Sequence, residues 1–202
     1  MTKARCAVLV SGGGTNLQAL IDAEKAGKLP HVQFVSVISS RPDAYALVRA
    51  QNAGIPARVA ERKGRTQEDF EKQILSFLDQ AQADMIILAG FMSILSPDFV
   101  ARYPRRILNV HPALLPAFGG KGFYGLRVHE AALRRGVKIT GATVHYVNEI
   151  ADGGEIILQK AVDVLPGDTP ETLQRRVMEQ AEWLILPQAA EIAAQEILAR
   201  AE

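Results

Sequence analysis

The chain has one cysteine, Cys6, so no disulfide can close within it. Cys6 sits in the apolar run Cys-Ala-Val-Leu-Val, which reads as a buried strand and not as the setting of a nucleophile. Neither sign of charge is in excess: 23 Lys and Arg face 22 Asp and Glu, a net of +1. That balance leaves no electrostatic footprint for nucleic acid or a membrane surface, although one local site could still hold a small anion. No apolar run is long enough to cross a bilayer and the opening Met-Thr-Lys-Ala-Arg carries no cleavage pattern, so a cytoplasmic protein is expected. Metal-binding spacings are missing as well. A zinc site would have to be assembled from His111, His129 and Asp152, and no metal is expected. No repeat, low-complexity tract or linker interrupts the 202 residues, so one domain over 1–202 is expected.

What is present is an alternation of strands and helices. Cys6–Ser11 reads as a strand that runs into Gly12-Gly13-Gly14-Thr15-Asn16, with a helix starting near Thr15. Val32–Ser39, Ala57–Ala60, Met85–Ala89 and Ile107–Val110 read as further strands. Between them, Asp43 can cap a helix through Asn52, and Thr66–Gln82 is amphipathic on Phe70, Ile74, Phe77 and Leu78. Ser96-Pro97-Asp98 opens a short helix. The pattern changes after Pro116, with a glycine-rich loop over 117–125, a helix over Leu126–Arg135, and strands over Thr140–Val147 and Glu155–Val164 that suggest an antiparallel hairpin. Thr169-Pro170-Glu171 starts the last helical stretch, which Pro187 is expected to break. The fold class is therefore α/β: a mostly parallel, doubly wound sheet with a C-terminal antiparallel hairpin and a long final helix.

Three strand ends should open on one crevice. The first carries the triple glycine, whose backbone N–H groups at a helix N-terminus make an anion site suited to phosphate. A Gly-Lys-Ser/Thr P-loop is absent, and a dinucleotide fingerprint would need glycine where Leu17 stands and an acid where Ser39-Ser40-Arg41 stands. NAD is thereby disfavoured, NADP survives only through Arg41, and a small phosphorylated metabolite fits better. The second end, Gly90-Phe91-Met92-Ser93-Ile94-Leu95, is apolar enough for a flat aromatic ligand, though Phe91 and Leu95 could equally be core. The third carries Asn109 and His111, two residues apart and so on one face of a strand. With Asp152 from a distant polar loop they make an acid–base set: an amide to meet an oxyanion, an imidazole to move protons, and a carboxylate to orient that imidazole and raise its pKa. His129 could line the same crevice, His145 reads as a core or face residue, and His31 as a solvated loop residue.

Taken in order, Ser11-Gly-Gly-Gly-Thr-Asn-Leu-Gln18, Leu88-Ala-Gly-Phe-Met-Ser-Ile-Leu95, Leu108-Asn-Val-His-Pro-Ala-Leu-Leu-Pro116, Gly141-Ala-Thr-Val-His145 and Asp152-Gly-Gly resemble the phosphoribosylglycinamide formyltransferases, folate-dependent transformylases of purine biosynthesis. The resemblance runs along nearly the whole chain. It implies a Rossmann-like formyltransferase fold with a phosphate-binding half over 1–111 and a folate-binding, catalytic half over 112–202. It implies that Gly14, Thr15 and Asn16 hold the substrate phosphate, that Met92, Ser93, Ile94 and Leu95 hold the pterin ring, and that Asn148, Glu149, Ile150 and Ala151 fold over the folate. Asn109, His111 and Asp152 match its catalytic trio. Glu182, with Glu179 as the alternative, resembles a helix glutamate that meets the substrate ribose. Trp183 follows where a histidine is usual, and one extra residue precedes this pair. Gln67 stands where an arginine is frequent, beside the folate. The implied substrates are phosphoribosylglycinamide and 10-formyltetrahydrofolate, with no metal, no nucleic acid and no membrane, in a monomer or homodimer. Relatives acting on initiator tRNA would need an added domain and a basic face, and formyltetrahydrofolate hydrolases usually carry a further N-terminal domain. An NADP-linked oxidoreductase and a non-catalytic phosphometabolite sensor are the readings outside this group.

Overall fold

The computed structural model describes residues 2–200. One seven-stranded sheet runs through the molecule in the order β3-β2-β1-β4-β5-β6-β7. Strands β1 (Ala4–Val10), β2 (Val32–Ser39), β3 (Ala57–Val59), β4 (Met85–Leu88) and β5 (Ile107–His111) are parallel. Strands β6 (Ile139–Tyr146) and β7 (Ile156–Asp163) add to it antiparallel, as the hairpin reading expected. The chain leaves β1 toward β2 and β3, then returns to lay β4 on the other side of β1. Strand order reverses there, and the crevice beyond the ends of β1 and β4 is where such sheets bind ligands.

Helices cover both faces because the central strands are apolar on both. Cys6, Val8 and Val10 of β1 face a core built with α1 (Thr15–Lys25), α2 (Tyr45–Asn52), α5 (Leu126–Arg135), α6 (Pro170–Val177) and α7 (Trp183–Ala199). Ala7 and Leu9 face a second core built with α3 (Gln67–Gln80) and α4 (Pro97–Ala101). Strand alternation sends Leu108 and Val110 into the first core and Ile107 into the second. Asn109 and His111 therefore continue the second face, past the point where α3 and α4 cover it. Cys6 is fully buried, and burial raises its thiol pKa far above the ordinary value, so it stays an inert core residue.

Helix starts follow local chemistry. Thr66 and Ser96 accept hydrogen bonds from Asp69 and Phe99 N–H and cap α3 and α4, and Thr169 closes a capping box with Thr172. Two expectations fail. Asp43 does not cap α2; its carboxylate is taken by Arg41 at 2.6 Å, and the cap position falls to Ala44. That pairing also occupies the arginine on which an NADP reading depended. Nor does Pro187 break the last helix, which runs through it to Ala199. The irregularity lies upstream, in a π-helical turn over Met178–Glu182. A π turn takes one more residue than an α turn, so it can accommodate the one-residue insertion that the resemblance implies. The N–H that Pro187 lacks would have met the carbonyl of Trp183, the first residue of α7, so the loss falls at the junction of the two registers.

His129 is buried on α5, and neither ring nitrogen has a protein partner. Burial first, and the nearby His111 second, push its pKa down to about 4. The unfolded chain then binds more protons than the folded one between pH 6.5 and 4, so stability falls as pH drops through that window. The loss should reach about 3 kcal/mol at pH 4. Urea unfolding of His129→Leu, followed from pH 7 to 4, should show a flatter acid limb than the parent; parallel limbs would show that this imidazole does not govern acid stability.

Candidate active site

Antiparallel pairing of β5 with β6 sets Asn109 opposite His145 and His111 opposite Thr143. The β6–β7 connection then swings back and delivers Asp152 to this face. Asp152 sits at φ 55 on a tight turn closed by Gly154, where any Cβ would lie 1.7 Å from the Tyr146 carbonyl oxygen. Its Oδ2 lies 3.5 Å from His111 Nδ1 and accepts the Gly120 N–H at 2.8 Å. Its Oδ1 lies 3.4 Å from Asn109 Nδ2 and 3.6 Å from His145 Nε2. The three residues expected to work together thus share one carboxylate. His111 is 4% exposed, and its Nε2 donates to the Phe118 carbonyl at 2.8 Å. The loop after it is fixed by Thr143, whose hydroxyl accepts from Leu115 N–H and donates to the Ala113 carbonyl.

The glycine loop forms the second part of the site. Gly14 takes φ 74, and a Cβ on it would lie 2.7 Å from that of Ala46, so it must be glycine for α2 to approach. A Cβ on Gly12 or Gly13 would meet open space; their carbonyls accept from Ala46 N–H and Arg49, which leaves their N–H groups for a ligand. Asn16 is nearly buried; its amide donates to Glu182 Oε2 at 2.7 Å, while its own Oδ1 has no partner. Thr15 is exposed, with its hydroxyl toward Met178 of the π turn at 3.9 Å. The π turn therefore brings Glu182, and not the exposed Glu179, to the glycine loop.

The apolar segment at the end of β4 is split. Met92 and Ile94 are exposed at 57% and 71%, Ser93 is half-buried, and Leu95 is core. Phe91 packs parallel to Phe70 and belongs under the loop. On the opposite loop Ile150 is exposed at 61%, as are Glu149 and Ala151, while the Asn148 side chain is spent on Ile150 N–H and the Gly153 carbonyl. Gln67 faces the β4 segment and donates to the Ile94 carbonyl at 2.9 Å. A cavity of about 480 Å³ opens between α4 and the β6–β7 connection; it reaches Asn148 and Glu149 but neither the trio nor Met92–Leu95. The crevice that carries the acid–base groups lies elsewhere.

A family model described as "Formyl transferase" matches residues 4–189. The chain belongs to the formyltransferase family. Within it, the chain is 43% identical over 184 residues to the phosphoribosylglycinamide formyltransferase of Haemophilus influenzae, covering 91% of this chain and 84% of that one. It is 46% identical over 194 residues to the bovine trifunctional purine biosynthetic protein adenosine-3; that match covers 95% of this chain but 18% of the much longer relative. Among solved structures, glycinamide ribonucleotide transformylase 1 from Symbiobacterium toebii superposes with a TM-score of 0.89 at 40% identity, over 96% of this chain and 89% of that one. The mixed sheet with its antiparallel β6–β7 end and long final helix is thus the formyltransferase fold.

Asp152 pulls the His111 pKa upward, as expected, and so does the Phe118 carbonyl, but burial outweighs both and the net shift is below 6.5. Burial thus favours the neutral imidazole. Burial also pushes the Asp152 carboxyl up, but His145, His111 and the Gly120 N–H together hold it below the ordinary carboxylate value. Among the described residues no cluster of three or more His, Cys, Asp or Glu could hold a metal ion.

Two neighbours of the site were not foreseen. His145 donates from Nδ1 to the Tyr146 carbonyl and places Nε2 3.2 Å from Asn109 Nδ2. Its strand pattern alone looked like core; the signal was its pairing with Asn109, which needs the β5–β6 register. Arg49 donates to the Gly13 carbonyl at 2.8 Å and to Gln18, bracing the glycine loop with a cation. By NMR, the His111 ring should titrate with a midpoint below 6.5 in the free protein. A midpoint above 6.5 would mean that Asp152, and not burial, sets its charge.

Proposed function

We propose that the chain transfers the formyl group of 10-formyltetrahydrofolate to the amine of 5'-phosphoribosylglycinamide, giving 5'-phosphoribosyl-N-formylglycinamide and tetrahydrofolate in de novo purine biosynthesis. The observation that carries this is the meeting of Asn109, His111 and Asp152 beyond β5, at the ligand-binding edge of a sheet whose first strand ends in an open glycine cradle. In this reading the backbone of Gly12–Asn16 takes the phosphate, with Arg49 supplying positive charge behind it. The unpartnered Asn16 Oδ1 and the Glu182 carboxylate accept from ribose hydroxyls. Met92–Leu95 and 148–151 flank the folate, with exposed Met92, Ile94 and Ile150 supplying apolar surface for its ring.

The amine lone pair attacks the formyl carbon, and the carbonyl electron pair moves onto oxygen. Asn109 donates to that oxyanion, a contribution worth roughly 3–4 kcal/mol for such a donor. The neutral His111 takes the proton that the amine sheds. Collapse breaks the bond to N10, and the imidazolium returns the proton to that nitrogen. Asp152 stabilises the imidazolium across 3.5 Å. For Nε2 to meet the amine, Phe118 must release it, after which the proton sits on Nδ1, held by Asp152. The loop carrying Phe118 contains Gly119, Gly120, Gly122 and Gly125, and its tie to Asp152 through the Gly120 N–H has to tolerate that shift. No covalent enzyme intermediate is needed.

One domain over 1–202 fits the single sheet that runs through both halves of the chain. The trio comes from one chain, so a monomer and a homodimer would hold the same site. Among the described residues no helix is long and apolar enough to cross a membrane.

Mixing phosphoribosylglycinamide with 10-formyltetrahydrofolate should release tetrahydrofolate only when the amine is present; release at the same rate without it would make the chain a hydrolase. His111→Ala and Asp152→Asn should each lower kcat by about 100-fold or more with KM values little changed. If both keep kcat within a few fold, the assigned roles are wrong.

A further inference from the structure

Glu71 lies on α3, away from the trio, and is 7% exposed. Its hydrogen-bond partners are all neutral donors. Oε1 accepts the Ser96 N–H at 2.6 Å and the Gln67 amide at 2.6 Å, and Oε2 accepts the Ser96 hydroxyl at 2.5 Å. The same Gln67 amide donates to the Ile94 carbonyl, and Arg62 donates to Gln67 Oε1 at 3.2 Å. A buried carboxylate is costly, and a surrounding of neutral donors repays it only when every one is aimed at it. Here those donors belong to, or hold, the segment that follows β4.

That segment is pinned at three backbone points. Met92 N–H donates to the Ser11 hydroxyl at 2.9 Å, the Ile94 carbonyl accepts from Gln67, and Ser96 N–H goes to Glu71. Among the described residues, the N–H groups of Ser93, Ile94 and Leu95 and the carbonyls of Met92, Ser93 and Leu95 make no hydrogen bond within the chain. The free groups lie between the pinned ones, four between Met92 N–H and the Ile94 carbonyl and two between that carbonyl and Ser96 N–H. The free ones form an open row of donors and acceptors whose spacing is set by the pinned ones. A flat heterocycle edged with amide-like groups is what such a row can read.

We propose that Glu71 is a positioning residue for the folate, holding the Ile94–Ser96 backbone so that the row from Met92 to Leu95 is presented in one geometry. The inference rests on the formyltransfer reading above and adds to it a side chain that touches neither substrate. A carboxylate is required because all its neighbours donate. Glutamine would turn its own N–H groups toward Ser96 or Gln67, and one anchor would be lost.

The test is steady-state kinetics of Glu71→Gln and Ser96→Ala beside the parent protein, with both substrates varied and melting followed in parallel. Glu71→Gln should raise KM for 10-formyltetrahydrofolate roughly tenfold, the scale of one lost hydrogen bond to a charged acceptor. Ser96→Ala should move it the same way and less. KM for phosphoribosylglycinamide should stay put and kcat should change less than the folate KM; melting should fall modestly in both variants, since each loses a buried hydrogen bond and Ser96→Ala also loses the α4 cap. Unmoved folate KM overturns the proposal, as does a loss shared equally by both substrates and by melting. If Glu71→Gln precipitates, Ser96→Ala decides alone. A parent protein that transfers formyl while the variants bind folate normally removes only the role of Glu71; a parent that transfers none removes the parent reading.

Discussion

The Asp152 carboxylate is the contact on which the site depends. It joins His111 and Asn109 of β5, His145 of β6 and the Gly120 backbone of the glycine-rich loop. Side chains of β5 and β6 and the backbone of the glycine-rich loop meet at its two oxygens. Burial alone would raise the pKa of that carboxylate, yet the groups around it keep it below the ordinary value. It favours the charged form beside an imidazole whose burial favours the neutral one. An acid–base centre that must first accept a proton and then return it needs both halves of that arrangement.

The backbone makes this possible by changing direction. Parallel strands β1, β4 and β5 deliver their ends to one edge, which is how a phosphate cradle and a histidine come to share a crevice. Antiparallel β6 then runs back along β5 and ends beside Ile107, at the opposite edge, so the loop leaving it has to fold back over the sheet face to bring Asp152 to Asn109 and His111. The left-handed turn at Asp152 and the close approach at Gly154 let the loop reverse within a few residues. On the other side of the cradle a single extra residue could have rotated Glu182 off its face. The π turn over Met178–Glu182 takes up that residue, and Glu182 still meets Asn16.

Most of the strand and helix pattern was legible because each element carries its own period and its own start signal. Val32–Ser39 and Leu126–Arg135 appear with the bounds read from sequence. The trio was legible from strand alternation and from family resemblance. What was not legible depends on contacts across the fold. The cap at α2 was misread because Asp43 has a stronger local partner in Arg41. Pro187 was misread as a breaker because the irregularity it tolerates sits a turn earlier. The upward pull of Asp152 on His111 was legible because a carboxylate neighbour is visible in a motif; the larger effect of burial was not. His145, Arg49 and Glu71 act through partners 36 or fewer residues away, but on different elements, and no spacing rule links them.

The central claim is that Asp152 acts through His111 as one unit. A double-mutant cycle in kcat for formyl transfer, with His111→Ala, Asp152→Asn and the two combined, tests it most directly. Coupled residues predict that the combined variant is no slower than the slower single one. Losses that multiply would show that the carboxylate and the imidazole contribute independently, and would contradict the account.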